Sequence, residues 1–357
     1  MNKFDLPTPA LCIDMEAVGD NLRLMQDFAD GAGVDLRPHA KTHKNPFFAH
    51  MQIDQGAVGI CVAKLSEAEV MVAGGVKDIL VTNEIADPRK LRQLAALAHY
   101  ATITLAVDSL PCAADAARAA MDMGSTLRLL IEVDSGSLRC GTAPGAPTLE
   151  LAQGIMELEN VEFAGVMGYE GHCMFIEDPD ERRQMVHADQ ERLVGTAALI
   201  RDHGIPVETV SAAGTGTYDL TGNYPGITEL QPGSYIFMDG RYRPLRPEFR
   251  CALTVIVTVI SRPTPERVVV DVGMKSLTNE FGMPLVLGIP NADFYREGEE
   301  NACIRLEDTS HPIRPGDPVE LLPMHGDTTI AVHDAYHLCH GEEVVMTLPI
   351  QGRGKFI

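Results

Sequence analysis

Apolar runs rich in β-branched residues alternate with amphipathic stretches through the first two thirds of the chain. Eight of these runs have the length and composition of strands, and most are followed by a stretch with helical periodicity. They lie at 34–39, 57–63, 77–83, 102–107, 127–134, 161–169, 206–214 and 229–239. Eight strand–helix units predict an α/β fold, a (β/α)8 TIM barrel. An open, doubly wound sheet is the alternative, because alternation alone does not show that the sheet closes.

The pattern changes after Arg246. Short strand-like runs separated by Pro and Gly turns replace the alternation, and no helical pattern follows them. This part of the chain therefore predicts an antiparallel β domain, and the early strand-like run at 8–14 is expected to pair with it. The predicted division is a barrel over 20–245 and a β domain over 246–357 that also includes 1–19.

Composition and charge narrow the range of partners. The 357 residues include 50 acidic and 29 basic ones, a formal net charge of −21, which repels nucleic-acid backbones and anionic membrane surfaces. No run approaches the roughly 20 apolar residues that span a bilayer, and the first residues lack the pattern of a secretory signal. We therefore expect a cytoplasmic protein that binds neither nucleic acid nor membrane. The eight cysteines form no C-x-x-C pair, so reduced thiols are expected.

Candidate chemistry lies directly after the strands, because barrel active sites form at the carboxyl ends of their strands. The first run leads into RPHAKTHK, in which His39 and His43 flank Lys41 and Lys44 follows. A lysine among imidazoles at such a position is a candidate for Schiff-base chemistry, because desolvation and neighbouring cations favour the uncharged amine. A solvated surface lysine is the alternative.

The seventh run leads into SAAGTGTYD, where Gly214, Thr215 and Gly216 offer successive backbone N–H groups. Such a nest binds phosphate, although an ordinary glycine turn has the same composition. A lysine after the first strand and a phosphate nest after the seventh together indicate pyridoxal 5′-phosphate, whose aldehyde and phosphate need two such anchors.

Seven motifs in order along the chain resemble those of one family. They are TPALCIDMEAVGDNLRLM, RPHAKTHK, GICVAKLSEAEVMVAGGVKDILVTNE, IEVDSGSLRCG, SAAGTGTYD, ELQPGSYIFMD and MHGDTTIAVHD. The sequence is similar to the D-threonine aldolase and D-serine dehydratase family, which belongs to the alanine-racemase-like, fold type III pyridoxal-phosphate enzymes. The resemblance implies a barrel with an added β domain, a homodimer and a lyase that acts on small β-hydroxy D-amino acids.

The resemblance also implies roles for individual residues. Lys41 matches the lysine that bonds to the cofactor, Arg139 a cofactor-contacting arginine, and Tyr169 an aromatic residue after the sixth strand. Tyr235, with Asp239, lies in a strand expected to close the site. The implied cofactor-binding set is Lys41, His39, Arg139, Tyr169, Gly214, Thr215, Gly216 and Tyr235.

His325 and Asp327 match the metal pair of the family, which is His-x-Asp or His-x-Cys. In an extended chain, side chains at i and i+2 share one face and can hold one cation. The carboxylate of Asp327 favours manganese or magnesium over zinc, and with them the aldolase branch over the dehydratase branch. We expect the pair to lie beside the cofactor at a domain or subunit boundary, with either chain of a dimer supplying it.

One position departs from the family pattern. Phe175 occupies the slot of the histidine that assists deprotonation of the substrate hydroxyl in the aldolases, and His172 is a candidate to replace it. The leading prediction is retro-aldol cleavage to glycine and an aldehyde, with Lys41, Tyr169 and His172 as catalytic residues. Dehydration of D-serine or 3-hydroxy-D-aspartate is the alternative. A non-catalytic cofactor carrier would not need the β domain, and a racemase would not need the metal pair.

Overall fold

The computed structural model describes residues 1–357, which form seventeen strands and nine α-helices. The strands are β1 Ala10–Asp14, β2 Asp35–Leu36, β3 Ile60–Val62, β4 Asp78–Val81, β5 Thr102–Val107, β6 Leu127–Glu132, β7 Val161–Met167, β8 Thr209–Ala212, β9 Glu229–Leu230, β10 Leu253–Thr264, β11 Arg267–Val270, β12 Leu285–Leu287, β13 Asp293–Glu297, β14 Ala302–Arg305, β15 Pro318–Leu322, β16 Ala335–His340 and β17 Glu343–Pro349. The helices are α1 Met15–Ala32, α2 Pro46–Gln55, α3 Leu65–Ala73, α4 Pro88–Leu97, α5 Leu110–Met123, α6 Ala146–Met156, α7 Pro179–Asp202, α8 Tyr218–Gly222 and α9 Gly326–Ile330.

The chain divides into two compact units. The β unit comprises Met1–Leu24 and Ser234–Gly354, and the barrel unit comprises Met25–Gly233 and Lys355–Ile357. No helix in either unit has both the length and the apolar composition that crossing a bilayer requires.

The sheet of the barrel unit contains eight parallel strands in the order β2-β9-β8-β7-β6-β5-β4-β3. Its two end strands also meet, through a parallel bridge between His39 and Cys61. Cys61 donates its N–H to the carbonyl of Pro38 and accepts the N–H of Ala40, each at 2.8 Å. The sheet therefore closes on itself, which confirms the predicted barrel rather than the open alternative.

Proline and a polar N-cap residue start three of the barrel helices. Asn45, Asp87 and Asp178 each accept a backbone N–H with the side chain, and a proline follows each one in the chain. The cap satisfies a donor that has no partner inside the helix, while proline has no N–H to satisfy and a backbone angle suited to the first turn. These helices therefore begin directly after the strand-end loops that carry the candidate site.

The last barrel strand is shorter than its sequence pattern predicts. The pattern indicates a strand over 229–239, but β9 ends at Leu230, and Ser234–Ile236 forms a 3-10 helix. Pro232 and Gly233 lie between them, and proline cannot donate to a strand ladder. The prediction that Tyr235 and Asp239 lie in a strand is therefore wrong.

The β unit contains a nine-stranded sheet. Seven of its strands pair in the order β13-β14-β11-β10-β1-β16-β17. β15 pairs with β10 on one side and with β12 on the other. β1 pairs antiparallel with β10 and parallel with β16, so the run at 8–14 joins this sheet as predicted. Two elements differ from the sequence pattern: β13 was not predicted, and α9 lies in a region predicted to have strands only.

A buried ion-pair network lies inside the barrel among apolar side chains. Arg37 donates from Nε to Glu229 at 2.7 Å and from Nη1 to Asp78 at 2.6 Å. Ser211 donates to the second oxygen of Glu229 at 2.7 Å. Gly59 leaves room for this network, because a Cβ there would lie 2.3 Å from Nη1 of Arg37. The first basic residue of RPHAKTHK thus has an internal, structural position.

Replacing Arg37 with methionine is expected to destabilise the barrel by about 3–5 kcal/mol, because it keeps most of the volume but leaves the buried carboxylate of Glu229 and the partly buried carboxylate of Asp78 without a cation. The measurement is the urea midpoint followed by circular dichroism. Arg92→Met is the matched control, since Arg92 pairs with Asp122 on the surface and should barely change the midpoint. Equal midpoints for both variants would contradict the structural role of Arg37.

Candidate active site

Lys41 and Lys44 lie in the turn between β2 and α2. Only one of these two lysines has an amine without a hydrogen bond or ion pair. Lys44 donates its ammonium to Glu67, and both side chains are buried. Glu67 is held in turn by the backbone N–H groups of Ala63 and Lys64 at the start of α3. The half-buried Lys41 has no hydrogen bond or ion pair at Nζ. Of the two lysines, Lys41 is therefore the one available to a ligand.

His39 is a neutral imidazole with a defined tautomer. Its Nδ1 accepts the backbone N–H of Lys41 at 3.3 Å, so the ring proton lies on Nε2 and is donated to Oγ1 of Thr82 at 3.1 Å. Burial, followed by the nearby charge of Lys41, holds the pKa of His39 well below its usual range. The imidazole therefore fixes the backbone of Lys41 without adding a positive charge.

Arg139 connects the carboxyl ends of β6 and β7. Its Nη2 donates to Glu132, the last residue of β6, at 2.7 Å, and its guanidinium lies 5.3 Å from the ring centroid of Tyr169. Its charge also contributes to lowering the pKa of His39. His39, Lys41, Arg139 and Tyr169 therefore occupy one end of the barrel, at the carboxyl ends of its strands.

The glycine turn after β8 packs closely against the loop after β7. A Cβ on Gly214 would lie 2.2 Å from Cε of Met174 and 3.4 Å from the ring of Tyr169. A Cβ on Gly216 would lie 2.7 Å from the carbonyl oxygen of Met174. Thr215 between them is buried. A side chain at Gly216 would clash with backbone, one at Gly214 would have to displace the end of the Met174 side chain, and the turn adjoins the Tyr169 ring.

A buried carboxylate organises this turn. Glu170 is 0% exposed and accepts the hydroxyl protons of Thr217 at 2.7 Å and Thr221 at 2.6 Å, as well as the N–H of Ala213 at 3.3 Å. Ala213 has a φ of +73°, a conformation that a non-glycine residue rarely adopts. Glu170 therefore stabilises the turn that contains this strained residue.

His172 forms a compact cluster with Cys173 and Asp189. Its Nε2 lies 3.4 Å from Oδ2 of Asp189 and 3.4 Å from Sγ of Cys173, and the thiol lies 3.9 Å from the same carboxylate oxygen. This spacing would suit a small cation. However, Arg192 already pairs with Asp189 at 2.8 Å, and burial raises the pKa of the Cys173 thiol to about 12. The cluster is therefore better suited to orienting the imidazole than to binding a metal.

The predicted metal residues lie at the start of a helix rather than in a strand. His325 has extended φ and ψ of −140° and 113° as the N-cap residue of α9, and Asp327 lies in the first turn. Glu280 contacts Nδ1 of His325 at 2.7 Å, and Phe281 stacks on the ring with centroids 4.3 Å apart. The expectation of an extended pair is wrong, and the metal role of His325 stays a prediction, in which Nε2 would be the ligand atom because Nδ1 contacts a carboxylate.

Asp327 has the character of a cation ligand. Its Oδ1 is buried without a hydrogen-bond partner, which is costly for a carboxylate oxygen unless a cation is bound. Asp239 accepts the N–H of Gly326 between the two residues at 3.1 Å. Burial raises the pKa of Asp239 to about 6. Imidazole and carboxylate thus form a donor set that fits a divalent cation.

Tyr235 differs from the other predicted cofactor residues in its surroundings. It is fully buried in the β unit, in a 3-10 helix, and its ring centroid lies 6.0 Å from that of Phe249. Its contact with the cofactor stays a prediction.

Several carboxylates at these strand ends were not predicted. Glu132 and Glu170 hold Arg139 and the glycine turn, and Asp189 orients His172. Glu132 ends β6 and Glu170 follows β7 by three residues, and this nearness to strand ends was the one signal available in the sequence. Asp189 lies within α7, where nothing distinguishes it from solvated acidic residues of the same helix.

Two family models match the chain. The N-terminal domain of alanine racemase matches residues 13–240, and a putative serine dehydratase domain matches residues 252–339. The first match covers more than half of the chain, so it establishes the family of the barrel.

Similar proteins extend the match over nearly the whole length. The chain is 37% identical to a D-threonine aldolase of Arthrobacter sp, over 97% of this chain and 93% of that protein. It is 32% identical to a 3-hydroxy-D-aspartate aldolase of Paracoccus denitrificans, over 99% of this chain and 94% of that protein. The crystal structure of a D-threonine aldolase from Filomicrobium marinum superimposes with a TM-score of 0.96 at 36% identity, covering 99% of this chain and 97% of that one. The chain therefore belongs to the D-threonine aldolase and D-serine dehydratase family of alanine-racemase-like, pyridoxal-phosphate-dependent lyases, as its motifs indicate.

Proposed function

We propose that the protein cleaves β-hydroxy D-amino acids by a retro-aldol reaction that releases glycine and an aldehyde. The observation that carries the proposal is that the amine of Lys41 makes no hydrogen bond or ion pair and lies beside the neutral ring of His39. The other lysine of the turn, Lys44, is already paired with Glu67. Two of the most similar proteins are named as aldolases. Asp327 occupies the second position of the metal pair, where the family has either Asp or Cys. Its carboxylate favours the aldolase branch of the family over the dehydratase branch.

The residues of the barrel unit fit pyridoxal 5′-phosphate. Lys41 would bind its carbonyl carbon, Arg139 and Tyr169 would position its ring, and the turn at Gly214–Gly216 would hold its phosphate. When bound, this cofactor supplies an acceptor for the electrons released when the Cα–Cβ bond breaks. The assignment is supported by the position of this glycine turn, which packs against the loop that carries Tyr169.

His172 would remove the proton from the substrate hydroxyl. Asp189 and Cys173 lie against Nε2, so Nδ1 is the nitrogen that accepts the proton. Ionised Asp189 keeps the Nε2–H tautomer and stabilises the imidazolium that forms. This arrangement supports the replacement of the family histidine, whose position Phe175 occupies, by His172.

His325 and Asp327 would hold a divalent cation, manganese or magnesium in preference to zinc. Such an ion would act as a Lewis acid toward the substrate β-oxygen. The buried, unpartnered Oδ1 of Asp327 and the carboxylate support of His325 by Glu280 favour binding there. The family resemblance also implies that the working form is a homodimer.

Dehydration is the second candidate reaction, because the same substrates can lose water and ammonia to give a keto acid. It requires removal of the α-proton, and the amine of Lys41, which makes no hydrogen bond or ion pair at Nζ, is the candidate base. The family match to a serine dehydratase domain over residues 252–339 gives this alternative specific support.

The proposal predicts that Lys41→Ala abolishes the visible absorbance band acquired when the purified protein is incubated with pyridoxal phosphate. Lys44→Ala is the matched control: it removes the partner of Glu67 but leaves the amine of Lys41, so the band should persist. A band retained in Lys41→Ala and lost in Lys44→Ala would reverse the assignment.

The products distinguish the two reactions. With D-threonine, D-serine and 3-hydroxy-D-aspartate as substrates, we expect glycine and an aldehyde in equal amounts and little ammonia. A chelator should abolish turnover and added manganese should restore it, because the proposed cation polarises the β-oxygen. Ammonia and a keto acid as main products would establish the dehydratase instead, and full activity in chelator would exclude the metal role.

The acid limb of the activity profile should depend on Asp189. Burial raises its pKa to about 6, so kcat should fall as pH decreases through about 6 and protonation removes the acceptor of His172 Nε2–H. His172→Ala should lower kcat by about 10²-fold or more, and Asp189→Asn should remove the limb near pH 6. The control is His187→Ala, an exposed histidine of the same helix as Asp189. Unchanged kcat in His172→Ala would exclude the imidazole as the base.

A further inference from the structure

The Arg139 loop, residues 134–140, takes its internal shape from its first residue. Oδ1 of Asp134 accepts the N–H groups of Gly136 at 3.2 Å and of Leu138 at 2.9 Å. A carboxylate that accepts nearby backbone N–H groups in this way closes a tight turn. These two bonds order the main chain within the Arg139 loop, but they do not attach the loop to the neighbouring helix α7.

One arginine of α7 makes that attachment. Nη1 of Arg192 donates to the carbonyl oxygen of Ser135 at 2.5 Å and to Oδ1 of Asp189 at 2.8 Å. A terminal guanidinium nitrogen carries two N–H bonds, so it can make both contacts at once. Asp189 lies three residues before Arg192, on the same face of the helix. Arg192 therefore joins the main chain of the Arg139 loop to a buried carboxylate of α7.

The Arg139 loop also packs directly on that carboxylate. A Cβ on Gly136 would lie 2.5 Å from Oδ1 of Asp189 and 3.1 Å from its Cγ, so a side chain there would have to displace the carboxylate. The other oxygen of Asp189, Oδ2, lies 3.4 Å from Nε2 of His172. The two oxygens of Asp189 thus face different parts of the site: Oδ1 faces the Arg139 loop, and Oδ2 faces the imidazole.

We propose that Arg192 is a positioning residue that fixes the Arg139 loop and the imidazole of His172 relative to each other through Asp189. This inference rests on the proposed function, in which Arg139 positions the cofactor and His172 removes a proton from the substrate. Arg192 acts through the groups that it holds and not through contact with either ligand. It binds Oδ1 of Asp189, which leaves Oδ2 for Nε2 of His172, and it holds the loop by its main chain.

The surroundings of Asp189 determine how Arg192 affects its ionisation. Burial raises the pKa of Asp189 to about 6. The titratable and charged groups that face it are His172, Glu170 and Cys173 of the loop after β7 and Arg192 of its own helix. The charge and the hydrogen bond of Arg192 favour the ionised carboxylate and so oppose the effect of burial. Without Arg192, the pKa of Asp189 should rise further, and its proton should bind at a higher pH.

Arg192→Met removes both contacts and keeps an unbranched side chain, and its effects can be measured in protein without cofactor. Hydrogen exchange of the backbone amides of 135–139, followed by mass spectrometry, should become about tenfold faster, because a hydrogen bond from a charged donor no longer holds the loop. The infrared carbonyl band of protonated Asp189, identified by its absence in Asp189→Asn, should disappear near pH 6 in the wild type. In Arg192→Met it should disappear about one pH unit higher.

Two functional measurements should follow the same change. Arg192→Met should bind pyridoxal phosphate about tenfold more weakly in an absorbance titration, because Arg139 is held less firmly. The acid limb of kcat should move to higher pH by the same amount as the infrared band. A role in folding alone would lower the urea midpoint of unfolding but would leave the infrared band and the acid limb near pH 6.

Arg201→Met is the matched control. Arg201 lies on the same helix and also donates to a main-chain carbonyl, that of Val207 at 2.8 Å, before β8 begins. This variant should keep the loop exchange, the infrared band and the cofactor affinity of the wild type. Arg192→Lys keeps a charged nitrogen with N–H bonds for both contacts, so it should retain most of each property.

Loop exchange as slow in Arg192→Met as in the wild type would overturn the attachment of the Arg139 loop. An infrared band that still disappears near pH 6 in that variant would overturn the hold on Asp189. If Arg192→Met does not fold, Arg192→Gln, which lacks the charge but keeps a polar side chain, must show the higher infrared midpoint. A wild type that binds no cofactor would instead contradict the proposed function, and the exchange and infrared comparisons would still decide the role of Arg192.

Discussion

Parallel pairing of the barrel strands is the constraint on which the candidate site depends. Because all eight strands run in one direction and the sheet closes between β2 and β3, the residues that follow the strands converge at one end of the barrel. Lys41, Glu132, Tyr169 and Gly214 are separated by up to 173 positions in the chain, yet all follow or end strands of the same closed sheet. The chemistry is therefore assembled by topology rather than by proximity in the sequence.

Charge compensation then determines which groups at this end can react. Nearly every cation there has its own carboxylate: Lys44 has Glu67, Arg139 has Glu132 and Arg192 has Asp189. Such pairs are costly to break once buried, so they fix the geometry of the loops. Lys41 is the exception, and its reactivity follows from the pairing of its neighbours as much as from its own surroundings.

The sequence predicted the fold because its signals are local and periodic. Eight apolar runs and the change of pattern after Arg246 predicted the barrel and the β sheet, the strand-end rule singled out Lys41, and the family resemblance added Arg139 and Tyr169. Signals that depend on tertiary contacts could not be recognised. The ion pair of Lys44 with Glu67 joins residues 23 positions apart, and the internal position of Arg37 depends on Glu229 and Asp78. The extended pair predicted for His325 and Asp327 was wrong because a strand-like composition there encloses one short helix.

Glu170 has a consequence for the thermodynamics of ligand binding. Its buried carboxylate ties the loop that carries Tyr169 to the turn that carries Gly214, through two threonine hydroxyls and one backbone N–H. The conformational entropy of both segments is therefore lost when the chain folds. A ligand that enters between them does not have to order them, so more of its contact energy is expressed as affinity. The two segments are therefore ordered before a ligand binds. The loss of conformational entropy lowers the net stability of the folded barrel and not the affinity for the ligand.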